Sequence, residues 1–160
     1  MTELDALRSR ALFIPVDEEL LAPLGRVMWA AILLHHAVRD TLGLDLGTGL
    51  SDEPFEKYTL GGAISALRRA AAAAGDPWDW VIARWADESG TPAVAQRDRV
   101  AHAVAYTADD GKQALRTGGR KGLPRERVTT ELLEEIAGRL EHASLELYDA
   151  RQRCRQEGTA

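Results

Sequence analysis

The stretch TELLEEIAGRLEHASLELYDARQRCRQ (Thr130–Gln156) decides the fold class. Leu133, Ile136, Leu140, Ala143, Leu147, Ala150 and Cys154 recur at alternating steps of three and four. That spacing lays them along one stripe of an α-helix. A stripe so regular, among mostly polar and charged neighbours, is a seam that needs other helices to cover it.

A second stretch supplies such a partner. From Asp17 to Leu42 the residues Leu20, Leu21, Leu24, Val27, Met28, Ala31, Leu34, His35, Val38 and Leu42 again fall at helical spacing. Around Val27–Leu34 the pattern is apolar nearly all the way round, which predicts burial on several sides. Asp17 is the expected cap and Gly43 the expected stop. Gly43–Tyr58 holds turn residues without a period and reads as a loop. Thr59 opens a helix that Gly75 ends. Asp76-Pro77 starts a third helix with Trp78, Val81, Ile82 and Trp85 on one face, closed by Ser89-Gly90. Thr91-Pro92 starts a fourth, expected to reach Ala108. A short helix at Thr2–Ala11 is weakly signalled.

The segment Gly111–Arg127 (GKQALRTGGRKGLPRER) differs from all of these. It carries six bases and one acid, so the remainder of this −5 chain carries −10. Gly118-Gly119 predicts a small hairpin turn. Together these readings give an all-α, up-and-down bundle of about five helices, one domain over 1–160 with its core in 17–156, and an irregular or hairpin insertion at 111–127.

Composition agrees. The 160 residues include 26 Ala and 21 Leu against 8 Val and 5 Ile. That balance favours helix and disfavours a β-sandwich or buried parallel strands. The composition, 45% hydrophobic and 28% charged, is that of a folded soluble chain. The acidic balance excludes a uniformly basic nucleic-acid binder, though a local basic patch remains. One cysteine, Cys154, allows no intrachain disulfide and no CxxC zinc site, which suits a reducing, cytoplasmic setting. The N-terminus has acids where a signal peptide needs bases, and the run Val27–Leu34 is shorter than a membrane span, so no membrane is expected.

Chemistry concentrates on the fourth helix. In AQRDRVAHA (Ala95–Ala103), Asp98 and His102 stand one helical turn apart, with Tyr106 one turn further. Arg97 is a long side chain near the same helix end, able to swing towards His102. A solvated face with one Asp–Arg pair and an ordinary histidine is the alternative. His35-His36 would put one imidazole in the core and one outside. A metal site there needs ligands from another helix, so neither metal nor cofactor is expected. His142 lies off the seam. Trp78 and Trp85 belong to the core, while Trp29 and Trp80 suit a dimer face. Gly61-Gly62 reads as a close helix crossing, since no strand precedes it and no Lys-Ser/Thr follows.

Arg97-Asp98-x-x-x-His102 resembles the Arg-polar-x-x-x-His motif of the HEPN superfamily, and the resemblance in pattern covers about residues 17–150. It implies an all-helical domain and a metal-independent endoribonuclease that cleaves single-stranded RNA, often in toxin–antitoxin or phage-defence systems. It also implies a homodimer whose two motifs line one cleft, and an antitoxin or other defence-system partner. On that resemblance Arg97 would bind the scissile phosphate, His102 would handle protons and Asp98 would orient the site. Tyr106 is a further candidate. Some members carry a modifiable Tyr two residues after the motif His; position 104 here is Val. Arg116, Arg120 and Lys121 are the expected RNA-backbone contacts. The alternative within the same resemblance is a catalytically silent bundle serving dimerisation or partner binding.

The reaction suits these groups. Cleavage without metal needs a base for the 2′-hydroxyl and a cation for charge developing on phosphorus. Histidine titrates near neutral pH, and arginine offers a fork matched to phosphate oxygens.

Overall fold

A computed structural model describes residues 18–48, 59–118 and 125–158. Along it run α1 (Glu18–Asp40), α2 (Leu60–Ala74), α3 (Trp78–Trp85), α4 (Thr91–Ala101), β1 (Val104–Thr107), β2 (Gln113–Arg116) and α5 (Thr130–Glu157). The fold is all-α with one small antiparallel hairpin. The expected helix at Thr2–Ala11, the Asp17 cap and most of the Gly43–Tyr58 loop lie outside the described residues.

Every seam residue of α5 is buried. Thr129 caps the helix through its side chain, accepting from the Leu132 N–H at 3.2 Å. The seam packs chiefly against α1, whose Val27, Ala30, Leu34 and Val38 are all buried. At the far end α1 runs on as a π-helical turn, Thr41–Asp45. There the Asp45 carboxylate, 4% exposed, accepts from both Arg151 and Arg155 of α5. This is a charge-assisted clamp at one end of the α1–α5 pair. Arg26 and Glu141 add a two-bond exposed pair higher up.

The middle of α1 departs from expectation. It is buried on one side only: Leu21, Met28, Trp29, Ile32 and Leu33 are exposed, Trp29 by 63%. Apolarity all round measures what a helix can bury, and here no described element covers the outer face. The helical stretch Glu19–Asp45 is also long and apolar enough to cross a membrane by composition, although its inner face is committed to α5.

The third and fourth helices form one continuous rod, so four rods replace the expected five among the described residues. Between α3 and α4 the backbone makes a π-turn, Ala86–Gly90, and both Gly90 and Thr91 keep right-handed helical angles. The Thr91 N–H reaches back five residues to the Ala86 carbonyl. Pro92 has no N–H to place, and the widened turn absorbs the register change instead of ending the helix. Gly90 is needed for packing, not for a break. A Cβ there would lie 2.9 Å from the Trp85 ring. That indole is buried and donates from Nε1 to the Ala143 carbonyl at 2.9 Å, tying the rod to α5. At the rod's start Pro77, rather than Asp76, holds the cap position.

The fourth helix ends seven residues early, at Ala101. Val104–Thr107 instead pairs antiparallel with Gln113–Arg116, Val104 opposite Arg116. Val, Tyr and Thr favour extended backbone, and the pairing satisfies their amides, so strand wins over the helical pattern. The turn lies at Ala108–Lys112, with Gly111 at φ 77° and Asp110 accepting from the Lys112 N–H. A third short segment joins β2: Arg127 bridges Arg116, and the Val128 N–H reaches Leu115. The hairpin turn expected at Gly118-Gly119 falls in the link between these two segments, and Gly119 lies outside the described residues.

Candidate functional site

Arg97 sits near the end of α4 and turns towards α1. Its side chain is 22% exposed, and its Nη1 pairs with Asp98 at 3.0 Å. Its Nε is buried and has no hydrogen-bond partner among the described residues. The guanidinium lines an open groove of about 210 Å³ with Met28, Ala31, Ile32, His35, Thr59 and Leu60. The groove therefore has α1 on one wall, α4 on another, and the first residues of α2 at the third.

His35 is 6% exposed. Burial above all, then the charges of Arg39, His36 and Arg97, holds its pKa below the usual imidazole value. These influences favour its neutral form. The expected split of the histidine pair is observed, with His35 inside and His36 exposed. His142 is exposed and pairs with Glu146.

His102 occupies a different place. It stands exposed as the residue that ends α4, its backbone N–H bonded to the Asp98 carbonyl. It is not among the residues lining the Arg97 groove. Its carbonyl lies 2.9 Å from where a Cβ on Gly118 would be, so that glycine lets the end of β2 pass close to the helix end. Asp98 is thus brought to Arg97, while the imidazole of the motif faces another environment.

Tyr106 does not continue the motif stripe, because it lies on β1 and not on α4. Its ring instead receives the Arg116 guanidinium at 5.2 Å from the centroid, a cation–π contact on one face of the hairpin. Ala101 and Val104 are both exposed. Arg120 and Lys121 lie outside the described residues. Two other bases near the hairpin are already paired: Arg99 with Glu126 and Arg127 with Asp110. Arg116 is thus the expected RNA contact that the described structure locates.

Among the described residues, no three His, Cys, Asp or Glu side chains gather as metal ligands would. His35 and the start of α2 are the groove residues that the motif did not indicate. The signal was present: Met28, Ala31, Ile32 and His35 form a 0, +3, +4, +7 stripe that places the imidazole on one line with apolar residues. No protein-family model, curated protein or solved structure matches this chain.

Proposed function

We propose that this chain is a metal-independent endoribonuclease that cleaves single-stranded RNA as a homodimer in the cytoplasm. It would serve as a toxin or phage-defence effector held in check by an antitoxin or other defence-system protein. The observation that carries this reading is Arg97 on the wall of an open groove that no carboxylate lines among the described residues, beside an apolar helix face that no described element covers. Arg97 binds the scissile phosphate and Asp98 steadies its guanidinium. His102, open to solvent, takes the 2′-hydroxyl proton. The O2′–P bond forms, the P–O5′ bond breaks, and the departing O5′ accepts a proton. Arg116, with Arg120 and Lys121 further along, follows the RNA backbone, which makes binding fall steeply with salt.

The test is cleavage of single-stranded RNA in EDTA. Arg97→Ala and His102→Ala are each expected to lose about 10²–10³ in rate, the usual size of a lost electrostatic or proton-transfer group. A wild-type protein that does not cut, or variants that cut as well as wild type, defeats the proposal. One observation favours a second reading, a silent bundle that serves dimerisation or partner binding: His102 does not line the groove that holds Arg97. That reading expects no cleavage, and association that survives His102→Ala.

A further inference from the structure

The outward side of the α1–α5 pair repeats one pattern on both helices. The Arg26–Glu141 bridge fixes the level at which the two lie side by side. Asp45 meets Arg151 and Arg155 further on, so the helices run parallel. Two turns beyond the bridge stand Leu33 and Tyr148; two turns beyond these stand Asp40 and Arg155. Seven residues bring a helix back to within about 20° of the same bearing. Arg26-Leu33-Asp40 and Glu141-Tyr148-Arg155 are therefore two neighbouring stripes. Each reads charge, apolar, opposite charge, and the two run in opposite sense. Trp29 and Leu145 join Leu33 and Tyr148 between the charged ends, all four 45–66% exposed. Tryptophan and tyrosine inside a charged rim have the composition of a protein interface. With Ile32 and Leu44 at its borders, the patch leaves on the order of 700 Å² of side chain open, close to the ~800 Å² each partner covers in a stable complex. No described element covers it.

We infer that this face binds a second copy of the chain, across a two-fold axis level with Leu33 and Tyr148 that sets the helices of the two copies antiparallel. This assignment rests on the homodimer of the proposed function and gives it a surface and a register. A two-fold contact is self-complementary: if residue i meets j, then j meets i. Arg26 and Asp40 each lie seven residues from Leu33, so the axis sets Arg26 opposite the partner's Asp40. Glu141 and Arg155 each lie seven residues from Tyr148, so Glu141 falls opposite the partner's Arg155. Asp40 is exposed and Arg155 half-exposed, and all four rim contacts join opposite charges. Trp29 falls opposite the partner's Ala37, a large side chain against a small one. A two-fold along the helices would instead set all four helix dipoles parallel; the antiparallel one opposes them. Met28 and His35, on the Arg97 groove, stand about half a turn round α1 from Arg26, so the contact leaves that groove open.

The experiment is sedimentation equilibrium of the whole chain at micromolar concentration, with urea unfolding to show that each variant is folded. Wild type is expected to dimerise. Tyr148→Glu and Leu145→Glu, both at exposed positions, should each weaken the dimer about a hundredfold while the monomer stays folded. Arg26→Asp and Asp40→Arg should each weaken it about tenfold, since every rim pair occurs twice. The double variant should return to within about threefold of wild type, because the swapped charges meet again across the axis. A wild type that stays monomeric, its patch taken by its own chain or by another protein, overturns the assignment. A dimer that Tyr148→Glu and Leu145→Glu leave intact overturns the face. A double variant weaker than either single one overturns the antiparallel register. Cleavage measured in parallel separates this from the ribonuclease. RNA cut by a monomeric wild type sinks the interface alone. A dimer through this face that leaves RNA intact supports the interface and sinks the ribonuclease.

Discussion

Leu33 and Leu34 are neighbours on α1 with opposite fates. Leu34 is fully buried against the bundle, whereas Leu33 stands half exposed on a face shared with Leu21, Met28, Trp29 and Ile32. His35 and His36 repeat the contrast one step along. One helix thus carries two apolar faces, and the described residues cover only the inner one. Hydrophobicity states that a surface gains by being covered; topology decides which surface is covered within one chain. The inner face belongs to stability, and the outer face is one that no described element covers.

The largest expected effect tests the inner face. Leu34→Ala should cost about 2–5 kcal/mol, as should Leu140→Ala on the facing seam, read from urea unfolding followed by circular dichroism. Leu33→Ala should stay within about 0.5 kcal/mol at dilute concentration. Equal losses at 33 and 34 would erase the distinction. Next comes the tie between rod and seam. Gly90→Ala forces the Trp85 ring from its place and should cost about 1–3 kcal/mol. Trp85→Phe, which leaves the Ala143 carbonyl without its donor, falls in the same range.

The outer face is tested by charge. Ile32→Glu should leave monomer unfolding within about 0.5 kcal/mol. In light scattering at micromolar concentration, wild type should run as a dimer and Ile32→Glu as a monomer. A wild type that stays monomeric removes the role assigned to this face.

A smaller effect concerns pH. The folded pKa of His35 lies below its ordinary 6.5, first because of burial. As pH falls below 6.5 the unfolded chain takes up a proton that the native chain refuses, so stability declines towards the folded pKa. His35→Gln should flatten that decline in urea melts between pH 7.5 and 5.5, whereas His36→Gln should not. The smallest signal is chemical. Burial foremost, with Glu157 and Asp45 adding to it, pushes the Cys154 thiol up to about 11. In native protein at pH 8 it should resist a disulfide reagent, and it should react once the chain unfolds.

The bundle was legible because its seam is periodic and local. Leu133 to Cys154 follow one rule without exception, and each is buried. The breaks were harder to read. Gly90 and Pro92 look like a stop and a start. Whether they end a helix depends on the Trp85 ring lying over Gly90, a contact between side chain and backbone that no pattern of helix breakers encodes. Val104–Thr107 continues the helical spacing of the motif and is a strand, because its partner lies nine residues on. For the site, Arg97 and Asp98 were visible as a local pair. The groove was not, since His35 and Thr59 reach it from 62 and 38 positions away in the chain.

The π-turn at Ala86–Gly90 acts as a phase setter for everything after it. Compared with an uninterrupted α-helix it holds about one extra residue, so α4 is rotated by roughly 100° from the bearing that α3 alone would give it. Removing a single residue from this turn would leave the rod helical and its composition almost unchanged. It would also swing Arg97 away from α1, so the direction in which the guanidinium points is stored a full two turns upstream of the residue that uses it.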